Sequence, residues 1–349
     1  MQRHYDPLNH YHMRILSMRP SELQNYLTEI LDTNLKHAVM LWGKPGVGKS
    51  SIIRKLCESK KIDFIDLRLS QLMPSDLRGV PVPTDGITHW YPPSFLPTEG
   101  RGILFMDELN MAPPTLQGVA QQLILDRRVG DYILPEDWFI WAAGNSKSDR
   151  AAVYEMPAPL ANRFLHLTMD ESLDEFKQYA YAHNFSPNVI GFLSFRPDLL
   201  HKMHPSEPNW PSPRSWEMAA NLHHFKMSVE PAIGISAAIE FNAFCQLKDE
   251  LPDIEAILSG KGPKLFHSDP SVRYATVSTL VSRSDKANKA VHAFHWLMTV
   301  AEEEWVHLFA SDLFPLLRKS KQYASFSKAI IKNPKARNFL SSFAELLSP

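Results

Sequence analysis

Cysteine is nearly absent: the 349 residues contain two, Cys57 and Cys245, far apart and in no C-x-x-C pair. That excludes a disulfide framework and a cysteine zinc site, and two reduced thiols are the expectation. Long apolar runs are missing as well. A bilayer-spanning helix needs roughly 18 apolar residues, and the stretch 232–244 is interrupted by Glu240 and Asn242. The first twelve residues are polar and rich in His and Tyr, with no apolar signal core, so a cytoplasmic protein without membrane contact is expected. An excess of charge is absent too. Lys and Arg number 37 against 38 Asp and Glu, a formal net charge of −1, which gives no global attraction to nucleic acid and makes it an unlikely partner without excluding it. Among the 15 histidines, His292/His295 and His201/His204 have i, i+3 spacing. Neither pair belongs to a known zinc pattern, and no histidine metal site is expected.

What is present is an ordinary globular composition, 44% hydrophobic and 21% charged, long enough for two domains with separate cores. Ser21 reads as a helix N-cap with Gln24 completing a capping box, ahead of Leu23, Leu27, Ile30 and Leu31 at helical spacing. Five short apolar runs follow, 38–42, 62–67, 103–106, 138–143 and 164–169, separated by helical or Pro/Gly-rich segments. Strands alternating with helices predict an α/β fold, a parallel sheet with helices on both faces. From about residue 171 the strand-like runs stop and amphipathic helical stretches take over: 173–183, 215–227, 232–247, 271–283, 286–308 and 326–347. The expected domains are therefore an α/β domain over 1–170, with a short N-terminal arm at 1–19, and an all-α region over 171–349.

Gly43-Lys44-Pro45-Gly46-Val47-Gly48-Lys49-Ser50 matches G-x-x-x-x-G-K-[ST] in full. An apolar strand leads in and a helix-like run (Ser51, Ile52, Ile53, Leu56) leads out, which is the context a phosphate-binding loop requires. Glycines let the backbone N–H groups point inward, and the helix N-terminus adds its dipole. Residues Gly43 to Ser51 are the expected ATP-binding segment, with Lys49 on the β- and γ-phosphates and Ser50 on Mg²⁺. The run 103–106 ends in two carboxylates. Asp107 is expected to hold Mg²⁺ through its water shell and Glu108 to activate the attacking water. The next strand runs into Gly144-Asn145, a neutral amide able to position water beside the γ-phosphate. Two further segments, 80–90 around Asp85-Gly86 and 129–139 around Gly130-Asp131, read as hairpins.

The chain resembles the MoxR branch of the AAA+ ATPases, in the group with an insert in the second helix. The matching pieces run in order: Gly43 to Ser50; Asp107-Glu108-Leu109-Asn110 followed by Ala112-Pro113-Pro114; Ala142-Ala143-Gly144-Asn145; Leu160-Ala161-Asn162-Arg163-Phe164; and Ser212-Pro213-Arg214-Ser215. The resemblance implies a P-loop AAA+ core followed by an all-α lid domain. It makes Asn145 sensor 1, Arg163 an arginine finger supplied to a neighbouring subunit, and Arg214 sensor 2, serving its own site or a neighbour's. Arg150 is a second finger candidate. The hairpins would be the helix-2 insert (about 79–97) and a pre-sensor hairpin (about 127–139), directed at a ring pore or a partner. Trp90, Tyr91 and Phe95 would then form a contact surface or pack the insert's own core. Met111 and Asn162 depart from the arginine and aspartate that many relatives carry. The first loses a charge that could contact the adjacent subunit; the second weakens the finger geometry. The resemblance fades beyond residue 220.

Three function classes follow. The first is a hexameric, Mg²⁺-dependent remodelling ATPase acting with a protein that contains a von Willebrand factor A domain. The second is a nucleic-acid motor of the same superfamily, such as a helicase or restriction translocase. The third, a small-molecule kinase or GTPase, is disfavoured: it does not need Asp107, Glu108 and Arg163 together, and N-K-x-D is absent, because Asn145 and Asp149 have the wrong spacing. The remodelling ATPase is the preferred expectation.

Overall fold

The computed structural model describes residues 16–145, 153–204 and 207–346. They fall into two compact units that divide between Glu171 and Ser172.

The first unit is built on six parallel strands: β1 (Leu16–Met18), β2 (Ala38–Trp42), β3 (Asp63–Arg68), β6 (Gly102–Asp107), β9 (Trp138–Gly144) and β10 (Phe164–Met169). Their order across the sheet is β1-β10-β2-β9-β6-β3. Five of the six coincide with the apolar runs. Strands buried on both faces are apolar at every position, and β9 is buried throughout. Its Trp138, Ile140 and Ala142 pack on one face with α4 (Pro114–Asp126). Its Phe139, Trp141 and Ala143 pack on the other with α1 (Pro20–Asp32) and α2 (Lys49–Lys60). The sixth strand, β1, lies in what the sequence suggested was an arm. Its three residues pair with Leu167, Thr168 and Met169 at the sheet edge. The start of α1 also differs from expectation. Pro20, which has no N–H to satisfy, takes the first helical position, so Ser21 falls inside the first turn. Glu22, not Gln24, closes the cap by accepting from the Arg19 N–H at 2.9 Å.

Between β3 and β6 lie α3 (Pro74–Arg78) and a hairpin of β4 (Val80–Thr84) and β5 (Ile87–Tyr91). Asp85 and Gly86 both have positive φ at its turn, as a two-residue hairpin turn requires. The second hairpin is shorter than expected: β7 (Arg128–Val129) and β8 (Tyr132–Ile133) enclose Gly130-Asp131, while Trp138 and Phe139 already belong to the main sheet. The hairpins are tied together, the Trp90 N–H donating to Asp131 Oδ2 at 2.7 Å. Of the three aromatics, Tyr91 is exposed, Trp90 half-buried, and Phe95 half-buried against the sheet core. A short helix, α5 (Ala158–Ala161), precedes β10.

The second unit is helical. Its described elements are α6 (Leu173–Ala182), α7 (Pro187–Phe195), α8 (Pro213–His224), α9 (Glu230–Ile233), α10 (Ile235–Gln246), α11 (Ile254–Leu258), α12 (Pro270–Arg283), α13 (Ala287–Val300), α14 (Glu303–Lys319), α15 (Tyr323–Ile330) and α16 (Pro334–Leu346). Three expected long helices are each two. The break falls at Gly234, at Ala301-Glu302, and ahead of Pro334, where glycine or proline interrupts the backbone in the first and last cases. An aromatic core including Phe192, Trp216, Phe241, Phe294, Phe309 and Phe326 fills the unit. Inside it Lys177 Nζ on α6 meets Asp312 Oδ1 on α14 at 2.8 Å, both side chains almost fully buried. Tyr181 donates to the same carboxylate at 3.4 Å.

Removing one member of a buried pair strands the other charge, at about 3–5 kcal/mol. Asp312→Ala should therefore lower stability by about that amount in urea denaturation. The double variant Lys177→Met/Asp312→Leu should lie much nearer the wild type, because no charge is left buried.

Candidate active site

Four neighbouring strands end at one edge of the first unit's sheet, and each delivers a polar group there. From β2 the chain turns through Gly43 to Gly48 into α2. Gly48 sits at φ +105°, a left-handed conformation that costs a residue with a side chain but not glycine. Val47 is buried in the core beneath and anchors the loop. Lys49 Nζ folds over the loop, donating to the Gly43 carbonyl at 2.6 Å, the Lys44 carbonyl at 3.2 Å and Asn145 Oδ1 at 2.8 Å. Lys44 itself forms an ion pair with Glu171. Pro45, Gly46 and Ser50 are half-buried, and Ser51 is exposed on the first turn of α2.

Asp107 ends β6, and the Ser50 hydroxyl donates to its Oδ2 at 2.7 Å. A serine hydroxyl beside a carboxylate is a pair of hard oxygen donors, which fits Mg²⁺. Glu108 follows at φ +56°, an uncommon conformation for a non-glycine residue that turns its side chain off the line of the strand. Its N–H donates to Asp107 Oδ1 at 2.9 Å. One carboxylate oxygen, Oε2, accepts from the Ser70 hydroxyl at 2.7 Å. Ser70 lies just beyond β3, and its part could not be read from the sequence, because a lone serine after a strand carries no pattern. Asp66, on β3, is a second residue that went unnoticed. Burial first, and then the nearby Asp107 charge, raise its carboxyl pKa above the usual range, with Arg68 and then Arg54 acting in the opposite direction.

The structure thus brings together Lys49, Ser50, Asp107, Glu108 and Asn145. It places Arg163 elsewhere. That residue is exposed just ahead of β10, at the opposite edge of the sheet, six strand residues from the P-loop edge, or about 20 Å at about 3.3 Å per residue. The turn before it is pinned by His166, whose ring nitrogens contact the Ala161 carbonyl at 2.8 Å and the Trp42 indole at 2.9 Å. Arg214 belongs to the second unit, exposed in the first turn of α8, whose start is capped by Ser212 and Ser215. Arg150 lies outside the described residues. Burial pushes the Cys57 thiol up to about 12 and the Cys245 thiol to about 11, so both are poor nucleophiles at neutral pH.

Residues 39–124 match the model of the ATPase family associated with various cellular activities, so the chain carries an AAA ATPase domain. It is also distantly similar to midasin: 26% identical over 160 residues to the protein of Giardia intestinalis and 27% over 168 residues to that of Dictyostelium discoideum. These alignments cover 43% and 44% of this chain. The aligned region spans 3% of either midasin. Among solved structures, NtrX of Brucella abortus in complex with ADP matches at TM-score 0.41 and 16% identity, over 86% of this chain and 68% of that one. A RuvB point mutant of Thermotoga maritima matches at TM-score 0.39 and 14% identity, over 81% and 84%. Among the described residues no helix is long and apolar enough to cross a membrane.

The Ser70 hydroxyl touches Glu108 and not the P-loop, so its loss should disturb the orientation of Glu108, the candidate base, and leave nucleotide affinity alone. Ser70→Ala is expected to lower kcat about 3- to 10-fold, the scale of a slightly misplaced reacting group, with unchanged ADP affinity. Unaltered steady-state turnover would show that this bond has no part in holding Glu108.

Proposed function

We propose that this AAA ATPase domain works in the cytoplasm as a ring-forming, Mg²⁺-dependent ATPase of MoxR type that remodels or activates a protein partner. The observation that carries the reading is the split between the two sheet edges: Lys49, Ser50, Asp107, Glu108 and Asn145 meet at one, and Arg163 stands exposed at the other. A subunit with its phosphate machinery at one edge and an exposed guanidinium at the other can complete a neighbour's site in a head-to-tail ring, of which six members is the proposed number.

In this reading residues Gly43 to Ser51 hold the nucleotide, Lys49 moving from its loop carbonyls onto the β- and γ-phosphates. Ser50 and Asp107 would hold Mg²⁺, which when bound neutralises charge on the phosphate oxygens. Glu108 takes the proton of the attacking water, and Asn145 orients that water without adding charge. Arg163 of the neighbouring subunit stabilises the charge that develops on the transferred group. Arg214 is the proposed sensor of the helical unit, in its own subunit or the next. The linked hairpins, with exposed Val80, Ile87, Tyr91 and Ile133, are the proposed contact for the partner, a protein with a von Willebrand factor A domain. The distant similarity to midasin supports this branch of the family over others, and the near-zero net charge argues against a nucleic-acid motor.

Glu108→Gln should bind ATP and turn over at least about 100-fold more slowly, the scale of lost general-base catalysis. Arg163→Ala should fall by about 1,000-fold or more. An equal mixture of the two should regain roughly a quarter of the wild-type sites, the product of two one-in-two chances at each head-to-tail interface. Mixing that restores nothing would reject the finger in trans. Turnover stimulated by single-stranded or duplex DNA would transfer the site to a nucleic-acid motor.

A further inference from the structure

Asn110 is the one polar residue of the Asp107-Glu108-Leu109-Asn110 run to which the proposed chemistry gives no task, yet it is 4% exposed and its side-chain amide bonds through both ends. It sits in the single turn Leu109–Met111, immediately after Glu108. Its Nδ2 donates to the Asn145 carbonyl at 2.7 Å, and its Oδ1 accepts from the Asn145 N–H at 3.3 Å. Its own carbonyl accepts from the Tyr154 N–H at 2.8 Å.

The need for such a residue follows from where the sheet ends. The ladder between β6 and β9 stops at Met106 opposite Ala142, and that between β2 and β9 stops at Trp42 opposite Gly144. Asn145 is the first residue past both, with no strand left to pair its backbone. A primary amide carries two N–H donors and an acceptor oxygen, and Asn110 uses one N–H and the oxygen to pair both backbone groups of Asn145, as a residue of a neighbouring strand would. Only glycine at 144 permits the approach: a Cβ there would lie 2.6 Å from Asn110 Oδ1 and 2.6 Å from Met40 Cε. The Asn145 side chain, carried on the backbone so fixed, meets Lys49 Nζ at 2.8 Å.

We infer that Asn110 is a positioning residue for ATP hydrolysis, acting through Asn145: it clamps the Asn145 backbone so that the sensor amide faces Lys49 and the terminal phosphate. The inference rests on the proposed role of Asn145 beside that phosphate. Nothing about it requires Asn110 to touch nucleotide, so its loss should appear in the chemical step and not in binding.

A cycle of four proteins tests it, with kcat and KM for ATP and the affinity for ADP measured on each. Asn145→Ala should lose turnover about 100- to 1,000-fold, the cost of a lost polar contact to the reacting group. Asn110→Ala should lose about 10-fold or more in kcat, with KM and ADP affinity within about threefold of wild type. The double variant should turn over within about twofold of Asn145→Ala, because a clamp has nothing to position once the amide is gone. Asn110→Ser, which keeps one hydrogen-bonding group, should lie between Asn110→Ala and the wild type, and it replaces Asn110→Ala in the cycle should that variant not fold. Losses that multiply in the double variant, a raised KM at unchanged kcat, or wild-type turnover of Asn110→Ala each overturn the inference. Wild-type turnover of Asn145→Ala would instead overturn the sensor reading on which it stands.

Discussion

The parallel pairing of β2, β9, β6 and β3 is the constraint on which the site depends. In a parallel sheet all C-terminal ends lie at one edge, where open α/β folds bind ligands. Here the four adjacent strands deliver the P-loop, Asn145, the Asp107-Glu108 pair and Ser70 in that order. Register matters as much as direction. Arg68 lies opposite Asp107 and Met106 opposite Ala142, so Asp107 and Glu108 stand within two residues of the row that holds Asn145. A slip of one residue would move Asp107 to the other face of the sheet. The apolar side chains of β6 and β9, buried on both faces, are what make such a slip costly.

The polar groups at this edge are also hydrogen-bonded to one another and to the loop. Lys49 is held by two loop carbonyls and Asn145, Ser50 by Asp107, and Glu108 by Ser70. Each group is therefore fixed near the place where it would be used, which limits the ordering needed on binding. A phosphate must exchange the Lys49 carbonyl contacts for its own charged oxygens, a stronger hydrogen bond. In the proposed Mg²⁺ site the Ser50 hydroxyl and Asp107 would share the cation. Ser70 is different, since it can keep Glu108 oriented whether or not the loop is occupied.

The parts of this arrangement that the sequence made legible are those with a local physical demand. A backbone that cradles phosphate needs glycines at fixed spacing, and doubly buried strands need unbroken apolar runs, so the P-loop and five strands were readable. β1 was not, because two of its three residues are exposed and its strand character comes from pairing with β10, far away in sequence. The cap of α1 lies two residues earlier than expected, at Arg19 and not Ser21, because Pro20 takes the first helical position. Ser70, Asp66 and the clamp formed by Asn110 depend on contacts between strands that lie apart in sequence, and single polar residues give no periodicity to read. The extent of the second hairpin was overread for a related reason, because Trp138 and Phe139 suit a hairpin strand as well as a buried sheet strand, and only the pairing with β6 decides between them.

Assembly is the claim that joins the separated edges into one active site. The most direct test is the solution mass of Glu108→Gln, by light scattering with and without Mg-ATP, since this variant should hold ATP without consuming it. The account predicts a nucleotide-dependent ring of about six chains. A single-chain mass under both conditions would leave Arg163 with no neighbour to serve and would contradict the account.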